Sequence, residues 1–294
     1  MHVGGGSLAA VRLGPPDPRA PLVLAIHGIT SSSQTWVAVA RALAHEPPAL
    51  GGTRPALLAV DLRGRGRSGE LPGPFGIDAH VRDMLAVLDH CGIERGVVVG
   101  HSLGAYIAAR LAAEHPERVR AAVLVDGGLP IPGTEGAEPQ AFLDAFLGPA
   151  LARLRMQFAS HEAYRAWWRA HPALAGGDVE DSDLVAYADY DLTGSEPQLR
   201  SAVSEAAVRA DAAALFELGE DAGRLTIPAT LLSAPRGLQD DPHPMQPAAL
   251  VRQWAAGSPE LRRAIEVPGV NHYTIVMGAA GARAVAAEVA SRAS

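Results

Sequence analysis

Six short apolar runs, each closed by turn residues, alternate along this chain with longer helical patterns, and that rhythm restricts the fold more than any other feature. The runs are PLVLAIHG (21–28), ALLAVD (56–61), GVVVG (96–100), RAAVLVD (120–126), ATLLSA (229–234) and RRAIEV (262–267). Short, uniformly apolar segments of this kind suit strands covered on both faces. Helical periodicity fills the intervals at 34–45, 76–91, 103–114, 247–256 and 279–292, several of them closed by Gly or Pro. A βαβα order predicts an α/β fold, a mostly parallel twisted sheet flanked by helices. GSLAAVRLG (6–14), which alternates and leaves through prolines, predicts an antiparallel edge strand.

One interval breaks the rhythm. Between Asp126 and Ile227 lie about 100 residues of helical character without a convincing strand, too long for a simple connection. The expectation is an inserted helical cap, residues 129–222, in an α/β core made of 1–128 and 223–294. The Pro/Gly-rich stretch 127–139 reads as the hinge into the insertion and 217–228 as the return.

Composition narrows the partners. With 48% hydrophobic and 19% charged residues in 294, the chain has material for a large core. Its net charge is −7, and all 25 cationic residues are arginine. That balance opposes nonspecific binding to nucleic acid or to an anionic membrane, both of which need clustered cations. Cys91 is the single cysteine, which rules out an intramolecular disulfide and a thiolate metal cluster. The N-terminus lacks a basic stretch followed by an apolar one, and no run of about 18 apolar residues occurs. A cytoplasmic protein, monomer or homodimer, is expected.

The segment with chemical content is Gly100-His101-Ser102-Leu103-Gly104, set between an apolar run and an Ala-rich helical pattern. Glycines on both sides permit a sharp strand-to-helix turn that presents the Ser102 hydroxyl at the C-terminal edge of the sheet. The helix N-terminus beyond it favours developing negative charge. A serine hydroxyl is a poor nucleophile until a base takes its proton. His272 is the one histidine placed after the last strand and before the last helix, where a loop reaches back toward Ser102. An oxyanion needs rigid backbone donors. Leu103 N–H supplies one by position, and the turn after the early strand, His27-Gly28-Ile29-Thr30, offers Ile29 N–H as the other. His27 itself is expected to shape that turn.

In chain order, HGITSSSQTW, DLRGRGRSG, GHSLG and the late NHYT resemble the α/β hydrolase superfamily over nearly the whole chain outside the insertion. The resemblance implies a Ser, acid, His triad, no cofactor, and hydrolysis of a carboxylic ester, lactone or thioester through an acyl enzyme. Serine in the nucleophile slot argues against the relatives that open epoxides or remove halides with a carboxylate. The acid stays open. After ATLLSA the usual slot holds Gly237 or Leu238, with Asp240 two positions later and Asp241 beyond it, whereas Asp126 ends the strand after the serine, from which some branches supply the acid. Acyl transfer would use the same residues, and a ligand-binding protein or a cofactor-free lyase on this scaffold are the competing readings.

Two patterns mislead. Gly64-Arg65-Gly66-Arg67-Ser68-Gly69 fits G-x-G-x-x-G, but Leu71-Pro72-Gly73-Pro74 follows and blocks the helix a dinucleotide needs, so Asp61 to Gly69 is expected as a structural loop near the active-site base. The Asp and His of 241–244 sit in a Pro-fixed loop with no second His cluster, which speaks against metal. Within the insertion, Phe142, Phe146 and a face formed by Tyr164, Trp167, Trp168 and His171 either dock the insertion on the core or, in part, roof an apolar pocket above Ser102, which would suit a largely apolar small-molecule ester.

Overall fold

The computed structural model of the chain describes residues 1–47, 53–132, 139–176, 178–215 and 218–293, without the side chains of 139–146. Seven strands make one sheet: β1 (Ala10–Leu13), β2 (Leu22–Ile26), β3 (Ala56–Val60), β4 (Gly96–His101), β5 (Val119–Val125), β6 (Ala229–Ser233) and β7 (Arg262–Glu266). Their order is β7-β6-β5-β4-β2-β3-β1. Every neighbouring pair is parallel except β1 with β3, where Ala10 faces Val60 across an antiparallel edge.

Helices cover both faces, which is why the central strands carry no polar alternation. On one face, Leu24, Ile26, Leu58, Val60 and Val98 pack with α2 (Ile77–His90) and α3 (Leu103–Glu114). On the other, Val23, Ala25, Leu57, Ala59, Val97 and Val99 pack with α1 (Val37–Leu43). Between β5 and β6 the described residues form four α-helices, α4 (Pro139–Leu154), α5 (His161–Arg169), α6 (Asp181–Asp191) and α7 (Glu205–Ala214). After β6 the chain adds α8 (Ala248–Ala256) before β7, and α9 (Thr274–Met277) and α10 (Ala279–Ala293) after it. No helix among the described residues is long and apolar enough to cross a membrane.

The structure departs from the periodicity in two short places. The run 6–14 is broken: Gly6–Ser7 pairs with His2–Val3, and only Ala10–Leu13 joins the sheet. Gly5 and Gly6, at φ 92° and 153°, turn the chain there. Leu192–Thr193 and Arg200–Ser201 form a two-residue ribbon inside the helical insertion, too short to leave an alternating pattern.

Buried ion pairs tie the insertion to the sheet. Arg65, on the loop after β3, lies 2.6 Å from Asp211 of α7, both fully buried. Asp211 also accepts from His80 Nε2 of α2 at 3.0 Å and from Gly76 N at 2.6 Å. Arg153 of α4, 1% exposed, donates to Asp191 at 2.6 Å, to Ser201 Oγ at 3.2 Å and to Thr30 O at 3.0 Å. Tyr164 OH accepts from Arg153 and donates to Asp191, so the buried hydroxyl is bonded on both sides.

Removing one member strands a carboxylate in the core. Arg153→Met is expected to lower the unfolding free energy by about 3–5 kcal/mol in a urea titration, and adding Asp191→Leu should recover a large part of that loss. A single-variant loss under about 1 kcal/mol, the range of exposed pairs, would mean that water reaches the pair.

Candidate active site

The site is built where β4 runs into α3. Ser102 sits at the tip with φ 54° and ψ −121°, a conformation few non-glycine residues adopt. Two backbone approaches hold it. A Cβ on Gly100 would lie 2.0 Å from Gly104 O, and one on Gly104 would lie 2.0 Å from Ile26 O, so neither position accepts a side chain. Ser102 N donates to Val125 O of the neighbouring strand at 3.0 Å, which fixes the tip against β5.

His272 precedes α9 and is 3% exposed. Its Nδ1 lies 2.7 Å from Asp126 Oδ2. Asp126 is fully buried at the end of β5, and its other oxygen accepts from Ala234 N at 3.0 Å. The carboxylate therefore orients the ring with Nδ1–H toward Asp126 and the Nε2 lone pair free for the cavity that His272 and Ser102 both line. His101, from the serine motif, clamps the same loop: its Nε2 donates to His272 O at 2.9 Å, and the two rings lie 4.7 Å apart. Burial, with His272 beside it, holds the His101 pKa well below the ordinary histidine value.

Asp240 does not touch His272. Its carboxylate takes Arg236 Nη1 at 3.0 Å and Asn271 Nδ2 at 2.8 Å, one residue short of the imidazole. Asp241 is spent on the amides of Gln239 and His243. Of the competing carboxylates, the structure brings Asp126 to the ring, because the end of β5 lies beside the serine tip while the loop after β6 turns back on its own Arg236.

The amides expected to bind an oxyanion, Ile29 and Leu103, both border the cavity, and among the described residues neither has an intramolecular acceptor. Gly28 O accepts from His27 Nδ1 at 2.7 Å and from Ser31 N at 3.2 Å. In a planar trans peptide, pinning that carbonyl also fixes the direction of Ile29 N–H. His27 Nε2 accepts from Leu62 N at 3.0 Å, so the ring is the neutral Nδ1–H tautomer, consistent with burial pushing its pKa down to about 4. The next carbonyls are held as well. Ile29 O takes Arg65 Nε at 2.9 Å and Thr30 O takes Arg153.

This corrects the expected place of the glycine-rich loop. Asp61 accepts from Ser33 N at 2.7 Å and from Arg67 N at 2.9 Å. Gly66–Ser68 is one 3-10 turn, and the loop braces residues 27–33 rather than the histidine.

Of the two readings of the insertion's aromatic face, the structure favours docking on the core over roofing the cavity. Tyr164 and Trp168, fully buried or nearly so, pack with Phe158 and Tyr187 in the core layer shared with α1 and α10, and Trp167 lies against that layer. None of the three borders the cavity; Tyr273, in contact with Trp168, carries the aromatic surface to it. Polarity explains this, since the Tyr164 hydroxyl is committed to Arg153 and Asp191. The side chains of Phe142 and Phe146 lie outside the described residues. From the insertion the cavity instead receives Ile131, Leu147, Ala150 and Leu215. Sequence reasoning missed Arg153, whose position among apolar residues of α4 gives no signal without its distant partners.

The sequence profile of the alpha/beta hydrolase fold matches residues 21–204, and the chain belongs to this family of enzymes. It is 36% identical over 181 residues to lipase LipV of Mycobacterium tuberculosis, covering 60% of this chain and 61% of that one. It is 29% identical over 231 residues to epoxide hydrolase B of the same organism, covering 75% of this chain and 57% of that one. The chain thus spans about three-fifths of the length of these two curated relatives. Among solved structures, the thioesterase domain from the curacin biosynthetic pathway superposes with a TM-score of 0.70 at 21% identity, over 98% of this chain and 97% of that one.

Replacing the carboxylate that meets the imidazole should let the wrong tautomer accumulate. Asp126→Asn is expected to lower turnover of a chromogenic ester by about 10³ to 10⁴, with Asp240→Asn close to the unaltered protein. A comparable loss in Asp240→Asn alone would reassign the acid.

Proposed function

We propose that the chain is a cofactor-independent serine hydrolase that cleaves a carboxylic ester, lactone or thioester of a largely apolar small molecule. The observation that carries this reading is the 2.7 Å contact of His272 Nδ1 with buried Asp126, on a ring that shares one cavity with the left-handed Ser102. Ser102 Oγ attacks the carbonyl carbon while His272 Nε2 takes its proton. The oxyanion receives Ile29 and Leu103 N–H, and the helix dipole of α3 favours the same charge. The imidazolium, steadied by Asp126, then protonates the leaving group as the tetrahedral species collapses to an acyl enzyme. Water, deprotonated by the same ring, returns Ser102 and releases the acid.

The walls agree with an apolar substrate. Ile29, Leu103, Ile131, Leu147, Leu215 and Met245 surround the serine, and no arginine or carboxylate borders the cavity among the described residues. The helices between β5 and β6 serve in this reading as the cap that excludes water and selects the substrate.

Intact mass after treatment with a fluorophosphonate tests the reading. One adduct is expected on the unaltered protein and none on Ser102→Ala. A folded protein that takes no adduct, or an adduct retained by Ser102→Ala, would reject Ser102 as the activated nucleophile.

A further inference from the structure

The space around Ser102 is too small for the substrate it would process. The cavity that Ser102, His272 and the Ile29 and Leu103 amides border measures about 40 Å³, whereas sites for small organic ligands run to roughly 300–1,000 Å³. It accommodates a reacting group and little else. A second hollow of about 460 Å³ lies against it. The two share three wall residues, Ile131, Leu238 and Met245, which therefore form the partition between them.

The outer hollow has an unusual wall. Five prolines line it, Pro132 and Pro149 from the insertion and Pro242, Pro244 and Pro247 from the loop after β6. Pro rings present apolar surface with almost no rotamer freedom to lose, so a flexible chain ordered against them faces little added entropy from the protein side. The polar side chains at this hollow are Gln239, Asp241 and His243. Asp241 and His243 bond to one another at 3.2 Å, and His243 is 88% exposed, so they belong to a wet rim.

We propose that this proline-walled hollow is the subsite for an extended apolar chain attached to the reacting carbonyl, and that Leu238 and Met245 form the throat through which the chain reaches Ser102. The inference rests on the hydrolase reading above. It makes chain length a determinant of specificity, and it places the selecting residues in the long loop after β6 rather than on the aromatic face of α5. The chain belongs either to the acyl group or to the leaving alcohol, and two substrate series separate these sources.

The test measures kcat/KM for p-nitrophenyl esters of two to twelve acyl carbons and for acetates of alcohols of the same lengths. In one of the series kcat/KM should rise by tenfold or more with length. Leu238→Trp, which narrows the throat, should reduce the ratio of long to short substrate by tenfold or more. Met245→Ala, which widens it, should shift the optimum to longer or branched chains, and serves if the tryptophan variant fails to fold. Fluorophosphonate labelling of Ser102 is measured alongside. A labelled protein whose length profile is flat, or is shifted by neither variant, overturns the subsite while leaving the hydrolase reading intact. Absence of labelling overturns both.

Discussion

Backbone against backbone, without a side chain between, is the contact on which the rest of this structure depends. Gly104 lies so near Ile26 O that even a methyl group would collide, and Gly100 stands in the same relation to Gly104 O. Because β2, β4 and α3 meet this closely, the tip residue between them is driven into the left-handed region and its side chain is lifted clear of the sheet. Such strain persists only where the surroundings over-determine it, and here the surroundings are two interior strands buried at nearly every position. Gly127 extends the constraint to the next strand, since a Cβ there would lie 2.6 Å from Ser102 O. Asp126, at φ 46°, is thereby set beside the tip as well.

Around this rigid centre the second layer is polar and buried. The segment 27–33 is not held by apolar packing alone; its successive carbonyls are taken by His27, Arg65 and Arg153, and Tyr187 OH donates to Ser31 Oγ at 3.3 Å. Arg153 and Tyr187 come from the insertion, and Arg65 is paired with Asp211 of the insertion. The orientation of the Ile29 amide is therefore linked to whether those helices are seated. A buried guanidinium is a demanding fastener, because it must satisfy several donors at once, and Arg153 does so with a carboxylate, a phenol, a serine hydroxyl and a carbonyl.

How much of this was legible in the sequence follows from the range of each interaction. The strands and core helices emerge from local periodicity, with ends within a few residues of those observed, since burial on both faces leaves a uniformly apolar run. Ser102, Leu103, Ile29 and His272 also converge on one cavity as their motifs suggest, because each motif is a turn whose geometry is set by its own neighbours. Which carboxylate meets the imidazole was not legible. Asp126 and Asp240 both end or follow a central strand, and only the path of the loop after β6, closed by Arg236 and Asn271, separates them in space. The aromatic face of α5 stayed open between docking and roofing for a related reason: periodicity identifies a buried face but not which partner buries it, and the hydroxyl of Tyr164 is claimed by residues 11 and 27 positions away.

The topology adds one more consequence. The insertion leaves the sheet after β5 and returns at β6, and these strands are parallel neighbours in register from Ala122 with Ala229 to Val125 with Leu232. The start of the excursion at Asp126 is itself bonded to Leu232 O at 2.7 Å and to Ala234 N, so exit and return are in effect a single doorway. Closing a long loop across so short a span is governed by a logarithm of its length, which makes the sheet nearly indifferent to what is hung there. A different set of helices could be grafted through that doorway, provided the graft still delivers a donor to Thr30 O and a carboxylate to Arg65.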